Sequence, residues 1–226
     1  MKIGLAGIGK LGSAMMTHWN KSNLPIGIFH PVRSKAEQFA ERYPNAHPLT
    51  DNEMRHMDII LLALPAGKVI SFMDSIIPEN SSIVFINMAT ALPTKKIKER
   101  FPSCKVFGLK YMGHSRDLME NGKGLFITED QLPAPIQDLF RPVGEIIKDS
   151  EERVAEINKL ATYYAVKTAV EIENELTGKG YNPAYIKRGL TSLAPEVIRS
   201  YSEGTLGHFA KEIVREIQES NKKAAD

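Results

Sequence analysis

Ile3-Gly4-Leu5-Ala6-Gly7-Ile8-Gly9-Lys10-Leu11-Gly12 stands near the start of the chain, an apolar run followed at once by glycines in the spacing G-x-G-x-x-G. Beyond it Leu11, Ala14, Met15 and Trp19 recur at helical spacing and stop before Asn23-Leu24-Pro25. The stretch predicts a strand over 2–6, a glycine turn and a helix. A glycine triplet alone is a weak signal, and it gains weight when a strand precedes it and a helix begins inside it. In that setting Gly7 makes the tight turn, Gly9 lets backbone amides approach a pyrophosphate, and Gly12 lets the helix pack close on the strand. The helix N-terminus adds free N–H groups and a partial positive charge. Gly7, Ile8, Gly9, Lys10, Leu11 and Gly12 are therefore candidate nucleotide-binding residues.

Outward from that turn the pattern repeats. Residues 26–29 read as a short second strand, and Ser34-Lys35-Ala36-Glu37 has the S-x-x-E form of a capping box before a helix running to about residue 43. The apolar run 58–64, closed by Pro65, suits a central parallel strand buried on both faces, and 69–77 supplies the next helix. Residues 82–86, 105–109, 124–127 and 143–148 read as further strands, with a basic helix at 94–100. Alternating strands and helices imply a parallel sheet. The expected fold is an α/β Rossmann dinucleotide-binding domain over 1–149 followed by a small all-α C-terminal domain over 150–226.

The rhythm changes after residue 150, because 151–177 contains no proline or glycine and no strand alternation. One long helix is expected there. Val154, Ile157, Ala161, Tyr164, Thr168 and Ile172 share one face, while Tyr163, Val166 and Val170 sit roughly opposite. Two readings stay open: a core helix with some exposed aromatics, or a helix held between its own domain and a second subunit. Gly178-Lys179-Gly180 ends it, two shorter helices are expected over 183–201 and 205–220, and the polar tail 221–226 is expected to fray.

The second strand decides which dinucleotide would fit. A carboxylate at its end would accept hydrogen bonds from ribose hydroxyls and repel a 2′-phosphate. Here Phe29-His30 leads into Pro31-Val32-Arg33-Ser34-Lys35, and no carboxylate appears before Glu37. Arg33 can grip a phosphate bidentately, Lys35 adds charge, Ser34 offers a hydroxyl and the amides of a helix start, and His30 stands at the rim. NADP is the expected cofactor. The competing reading makes Arg33 and Lys35 solvated surface cations.

Composition narrows the classes. With 226 residues, 42% hydrophobic and 25% charged, the chain resembles an ordinary globular protein. A formal charge of +2 without a concentrated basic face argues against nucleic acid. The longest apolar run, 59–64, is far below membrane-spanning length, and a first strand at residue 2 leaves no room for a leader. No membrane partner and a cytoplasmic location are expected. Cys104 is the one cysteine, so an internal disulfide is excluded and it reads as a packed thiol. The six histidines show no metal-ligand spacing, so no metal is expected.

The glycine fingerprint, Arg33-Ser34-Lys35-Ala36-Glu37, the strand 58–64 with Pro65, and Asp138-Leu139-Phe140-Arg141-Pro142-Val143-Gly144-Glu145-Ile146-Ile147 follow one another in an order that resembles the pyrroline-5-carboxylate reductase-like family. The resemblance implies an NADP-using Rossmann domain and a 6-phosphogluconate-dehydrogenase-like helical domain that makes a homodimer, here through 151–177. It also implies that Ala63, Leu64 and Pro65 pass the nicotinamide ribose, and that the loop Asn87-Met88-Ala89-Thr90 borders the ring, which adds Met88 and Ala89 to the cofactor candidates. The substrate half departs from the family. Ala161-Thr162-Tyr163-Tyr164-Ala165-Val166-Lys167 replaces its serine- and glycine-rich helix start, Lys110-Tyr111-Met112-Gly113-His114 replaces M-P-N-T-P, and Glu203-Gly204-Thr205-Leu206 faintly echoes its substrate loop.

Hydride transfer needs chiefly a donor carbon held in line with an electrophile in a dry pocket. A protonated imine needs no strong acid from the chain, whereas a carbonyl needs a proton donor. Tyr111 and His114, after the strand 105–109, and Lys167 and Tyr163, on the long helix, are the candidates. Lys167 lacks the Asn four residues on that hydroxyacid dehydrogenases of the broader group carry. The leading expectation is an NADP-dependent oxidoreductase acting on a small imine or carbonyl in a cleft between the two domains. The alternatives are a catalytically degenerate NADP-binding regulatory protein and a deazaflavin-dependent NADP reductase.

Overall fold

A computed structural model describes residues 1–78 and 81–223. The chain begins β1 (Ile3–Ala6), α1 (Lys10–Lys21), β2 (Ile26–Phe29), α2 (Arg33–Ala40), β3 (Ala46–Pro48), α3 (Asp51–Met54), β4 (Ile59–Leu62), α4 (Ala66–Ile76), β5 (Val84–Asn87), α5 (Thr94–Arg100) and β6 (Lys105–Gly108). Its six strands form one parallel sheet in the order β3-β2-β1-β4-β5-β6. β1, β2 and β4 are buried along their whole length, which is why they read as continuous apolar runs. Because strand side chains alternate, Ile59 and Leu61 enter one core with Leu5, Met15 and Trp19, while Ile60 and Leu62 enter the opposite core with Val69, Met73 and Phe85.

After β6 the single parallel sheet expected from the sequence breaks. β7 (Lys110–Met112), α6 (Ser115–Asn121), β8 (Gly124–Thr128), α7 (Ala134–Phe140) and β9 (Gly144–Lys148) follow, and their strands make a separate sheet in which β7 and β8 are antiparallel and β8 and β9 parallel. This sheet shares the first core. Phe126 and Phe140 pack edge to face, Phe140 meets Trp19, and the Trp19 indole donates to the Leu139 carbonyl at 2.7 Å. His18 Nε2 lies 2.6 Å from the Leu118 carbonyl, a second tie from α1 to the same layer.

The expected capping box lies elsewhere. Ser34 does not cap α2, because the helix begins two residues earlier with Val32 as N-cap and no side-chain cap bond. The Val32 N–H is instead taken by His30 Nδ1 at 2.9 Å, so Ser34 falls inside the first turn and Glu37 accepts from Arg33 Nε at 2.8 Å. The capping box sits at α3, where Thr50 Oγ1 accepts the Glu53 N–H and the Glu53 carboxylate accepts the Thr50 N–H. Hydrogen bonds from Thr50 hold the Glu53 carboxyl below its ordinary range. Cys104 is a free, partly buried thiol, and burial pushes its pKa up.

The chain divides into two compact units, Met1–Lys159 and Leu160–Asp226, and the long helix α8 (Glu151–Gly178) carries it from one to the other. Where one helix was expected over 183–201, the structure has α9 (Pro183–Arg188), a π-helical turn (Gly189–Leu193) and α10 (Ala194–Ser202). Pro195 supplies the reason: its ring nitrogen cannot donate to the preceding turn, and the widened turn absorbs the mismatch. α11 (His208–Lys223) ends the described chain, so 221–223 continue a helix and the rest of the expected frayed tail lies outside the described residues. No helix among the described residues is long and apolar enough to cross a membrane.

Candidate nucleotide-binding site

The order of the parallel sheet reverses between β1 and β4, and in open α/β sheets ligands bind at such a point, beyond the C-terminal ends of the strands. A cleft of about 770 Å³ opens there, lined by Gly7, Ile8 and Gly9 after β1, Phe29, His30, Pro31 and Lys35 after β2, and Ala63, Leu64 and Pro65 after β4. A second cavity of about 380 Å³ shares Gly9, Ala63, Leu64 and Pro65 with it and is lined in addition by Lys10, Leu11, Met88 and Ala89. The two make one groove across the sheet edge.

The glycines do three different things. Gly7 has φ +116°, and a Cβ there would meet the Ala63 carbonyl oxygen at 2.2 Å, so glycine alone fits the turn. A Cβ on Gly12 would meet the Gly7 carbonyl oxygen at 2.1 Å, which sets how closely α1 lies on β1. Gly9 is free on both counts: nothing lies within 4 Å of its would-be Cβ. The space beside Gly9 faces the start of α1, where the N-cap offers no side-chain bond and no acidic residue stands in the first turn. Backbone N–H groups of that first turn lack intrahelical partners. A pyrophosphate fits this cradle by charge and by room.

At the other end of the groove the charges are mixed but mainly positive. Lys35 and Lys68 line it together with Asp51 of α3. Arg33 and Ser34, in the same first turn of α2 as Lys35, are exposed and are not among the lining residues, and the Arg33 guanidinium is engaged by Glu37 at 2.8 Å. Sequence reasoning overlooked one wall entirely. Lys68, Ser71, Phe72 and Ser75 follow the i, i+3, i+4, i+7 spacing of a helix face on α4, with Phe72 tilted against Phe29 at 5.3 Å. Their signal was a polar stripe on a helix that begins at the nucleotide turn after β4.

The loop between β5 and α5 forms the far wall, where Met88, Ala89, Thr90 and Ala91 line the second cavity. It is held from beneath. Asn87 Nδ2 donates to the Leu92 carbonyl and to Thr94 Oγ1, each at 2.9 Å, and Asn87 Oδ1 accepts the Ala89 N–H at 3.1 Å. Lys110, whose side chain is 1% exposed, donates from Nζ to the Ala89 carbonyl at 2.8 Å and the Leu92 carbonyl at 3.0 Å.

The candidate proton donors stand apart from one another. Tyr111 is buried against Phe126, its hydroxyl donates to the His114 carbonyl at 3.1 Å, and burial pushes its pKa up to about 12. His114 is exposed and caps α6, Nδ1 accepting the Arg116 N–H at 3.3 Å. Lys167 is exposed on α8, 3.8 Å from the Glu171 carboxylate, and Tyr163 is exposed beside Tyr164. None of the four is among the residues lining the groove. Among the described residues no cluster of histidine, cysteine and carboxylate side chains could hold a metal ion.

A six-stranded parallel sheet with a glycine turn at its switch point, followed by a helical unit, defines a Rossmann-type protein of two units. Residues 2–90 match the family model described as NADP oxidoreductase, coenzyme F420-dependent. No curated protein matches the sequence. Among solved structures, the chain is similar to Plasmodium falciparum pyrroline carboxylate reductase with NADP bound, at 16% identity and TM-score 0.63, covering 100% of this chain and 92% of that one. It is also similar to a reductive aminase from Aspergillus terreus in complex with NADPH and ethyl levulinate, at 14% identity and TM-score 0.67 over 97% of this chain and 78% of that one. A Streptomyces aurantiacus imine reductase matches at 11% identity and TM-score 0.62 over 92% and 80%. The chain has the fold of the pyrroline carboxylate and imine reductases.

Proposed function

We propose that the chain is an NADP-dependent oxidoreductase that transfers hydride between NADPH and a small imine or carbonyl substrate, and that it works as a homodimer associated through 151–177. The observation that carries the reading is the groove itself, with open space beside Gly9 at a helix N-terminus and Lys35 and Lys68 at the end where a second phosphate would sit. The residues around the groove fit the cofactor. Gly7, Ile8, Gly9, Lys10 and Leu11 would hold the pyrophosphate, with Gly12 setting α1 close on β1 behind them, Lys35 and Lys68 the 2′-phosphate with His30, Arg33 and Ser34 at its rim, and Ala63, Leu64, Pro65, Met88 and Ala89 the nicotinamide half. Bound there, NADPH supplies a hydride to an electrophilic carbon and leaves as NADP⁺.

An imine is the favoured acceptor. It arrives protonated and asks nothing of the chain beyond position and exclusion of water, whereas a ketone requires a donor for its developing alkoxide. Tyr111 suits that second task poorly, since its hydroxyl is already committed to a carbonyl and its pKa stands near 12. For a carbonyl substrate we assign the proton to Lys167 or His114, which are exposed.

A second reading has its own support. The family model matched by residues 2–90 describes reductases that use coenzyme F420, so a deazaflavin could be the acceptor in place of a small imine. One experiment separates the readings: NADPH is titrated against the protein, then cyclic imines, small keto acids and coenzyme F420 are offered in turn while NADPH absorbance is followed. Turnover with an imine or keto acid is expected. Oxidation with F420 alone would transfer the assignment to the second reading, and tight NADPH binding without turnover would make the chain a regulatory binder.

A further inference from the structure

A buried lysine is costly, and a fold that needed only to fill volume at position 110 would place Leu or Met there. Lys110 is held by partners drawn from two distant stretches of the chain. Besides the Ala89 and Leu92 carbonyls, its Nζ faces Glu151 Oε2, the first residue of α8, at 3.6 Å. That carboxylate also accepts the Thr94 N–H at 3.0 Å, while the Glu151 N–H donates to Glu129 Oε1 at 3.0 Å. Room for it is made at Gly108, where a Cβ would lie 1.5 Å from Glu151 Oε1. Asn87 completes the set by donating to the same Leu92 carbonyl that Lys110 uses. Four of these bonds end on the loop 89–92 or on Thr94, the residue that opens α5.

We infer that Lys110 is the positioning residue of the groove's far wall: its ammonium group pins the loop 89–92 against Glu151, and dinucleotide affinity depends on that pin. The inference rests on the proposed function for its ligand and on the geometry for its anchor. Lys110 touches neither cavity, so it acts through the loop.

The pin is sensitive to pH. Burial draws the Lys110 pKa from its ordinary 10.5 down to about 8, with Glu151 and, more weakly, Glu129 pulling it back up. Of the other charged groups around it, Asp130 accepts the Gly108 N–H and is paired with Lys98 at 2.8 Å. As pH rises through about 8 the ammonium loses its proton, and with it the charge that both carbonyls accept from. Fold stability responds with the opposite sign. Between about 8 and 10.5 the folded chain holds fewer protons at this site than the unfolded one, so the site's contribution to stability rises over the window in which the pin is lost. Weakened binding there is therefore distinguishable from unfolding.

The test uses the full chain, its K110M, K110R and E151Q variants, NADPH affinity by nicotinamide fluorescence at neutral and alkaline pH, and hydrogen exchange of the segment 88–92 without nucleotide. Wild type is expected to lose about tenfold in affinity from neutral to alkaline pH, the scale of a hydrogen bond to a charged donor. K110M should bind weakly at both, K110R should bind well at both because Arg keeps its charge, and E151Q should move the fall to lower pH. Exchange in 88–92 should quicken in K110M. Wild-type affinity and unchanged exchange in K110M would overturn the inference, as would an E151Q profile identical to wild type should K110M not fold. If wild type bound no NADPH, the proposed function would fall, and the exchange comparison would still decide the anchor.

Discussion

Between Met1 and Lys159 the core aromatic rings are enclosed, with Trp19, Phe39, Phe85, Phe126 and Phe140 all under 2% exposed; in the second unit Tyr163, Tyr185 and Phe209 stand 61%, 65% and 75% exposed. Among the described residues of that second unit, Gly189 is the buried one. Ordering a chain costs about 1–2 kcal/mol per residue, and a unit that encloses so little has small means of offsetting it alone. Its sequence nevertheless carries strong apolar stripes, such as Phe209, Ile213 and Ile217 along α11. The first unit encloses its own core, and the exposed stripes of the second suit the homodimer proposed above.

The largest expected effect breaks the first side of that contrast. Trp19→Ala removes a fully buried ring and its bond to the Leu139 carbonyl, and should cost about 3–5 kcal/mol at any protein concentration. Val166→Glu with Val170→Glu alters side chains that are 57% and 47% exposed, and should leave the first unit intact while reducing the proposed dimer to a monomer by light scattering. A wild type that scatters as a monomer, with an unfolding midpoint indifferent to concentration, would remove the reason given for the exposed stripes.

A smaller pair of substitutions sharpens the distinction between residues that shape the first unit and residues that leave space in it. Gly7→Ala forces a side chain into a left-handed backbone and against the Ala63 carbonyl, and should cost about 1–3 kcal/mol of stability. A Cβ at Gly9 meets nothing within 4 Å, so Gly9→Val should change melting little while NADPH binding is abolished. Equal loss of stability in both would mean that Gly9 is another packing glycine and that the cradle reading fails.

What the sequence disclosed follows the same divide. Strands buried on both faces announce themselves as apolar runs, so 26–29 and 58–64 could be read, as could the helix at 94–100. Two strands of the second sheet were also read, at 124–127 and 143–148, but its separation from the first was not, because the three-residue β7 shows no period and its antiparallel pairing with β8 joins segments that no local pattern links. β3 and α3 were too short to show a period, although Thr50 and Glu53 carried their capping box in plain view. In the site, the glycine turn and Ala63-Leu64-Pro65 were legible as residues that line the groove, while Lys68 was hidden among ordinary helix polar positions. Lys110 was legible only as part of a departure from a family motif, since its burial depends on three segments meeting.

The finest test stays within one helix of the first unit. Arg33 and Lys35 lie two positions apart on α2, so at about 100° per residue their side chains leave opposite sides of the helix. Lys35 lines the groove, whereas Arg33 is turned to Glu37 in an exposed pair of a kind worth about 0–1 kcal/mol. Lys35→Ala should raise the NADPH dissociation constant about fivefold to tenfold and leave NADH unaffected, and Arg33→Ala should change either by less than about twofold. The reverse order would mean that the 2′-phosphate draws Arg33 away from Glu37, at a cost small enough for one charge-assisted bond to cover. Equal losses for the two nucleotides in Lys35→Ala would instead place that lysine near the pyrophosphate, and the specificity for a phosphorylated ribose would then have to come from Lys68 across the groove.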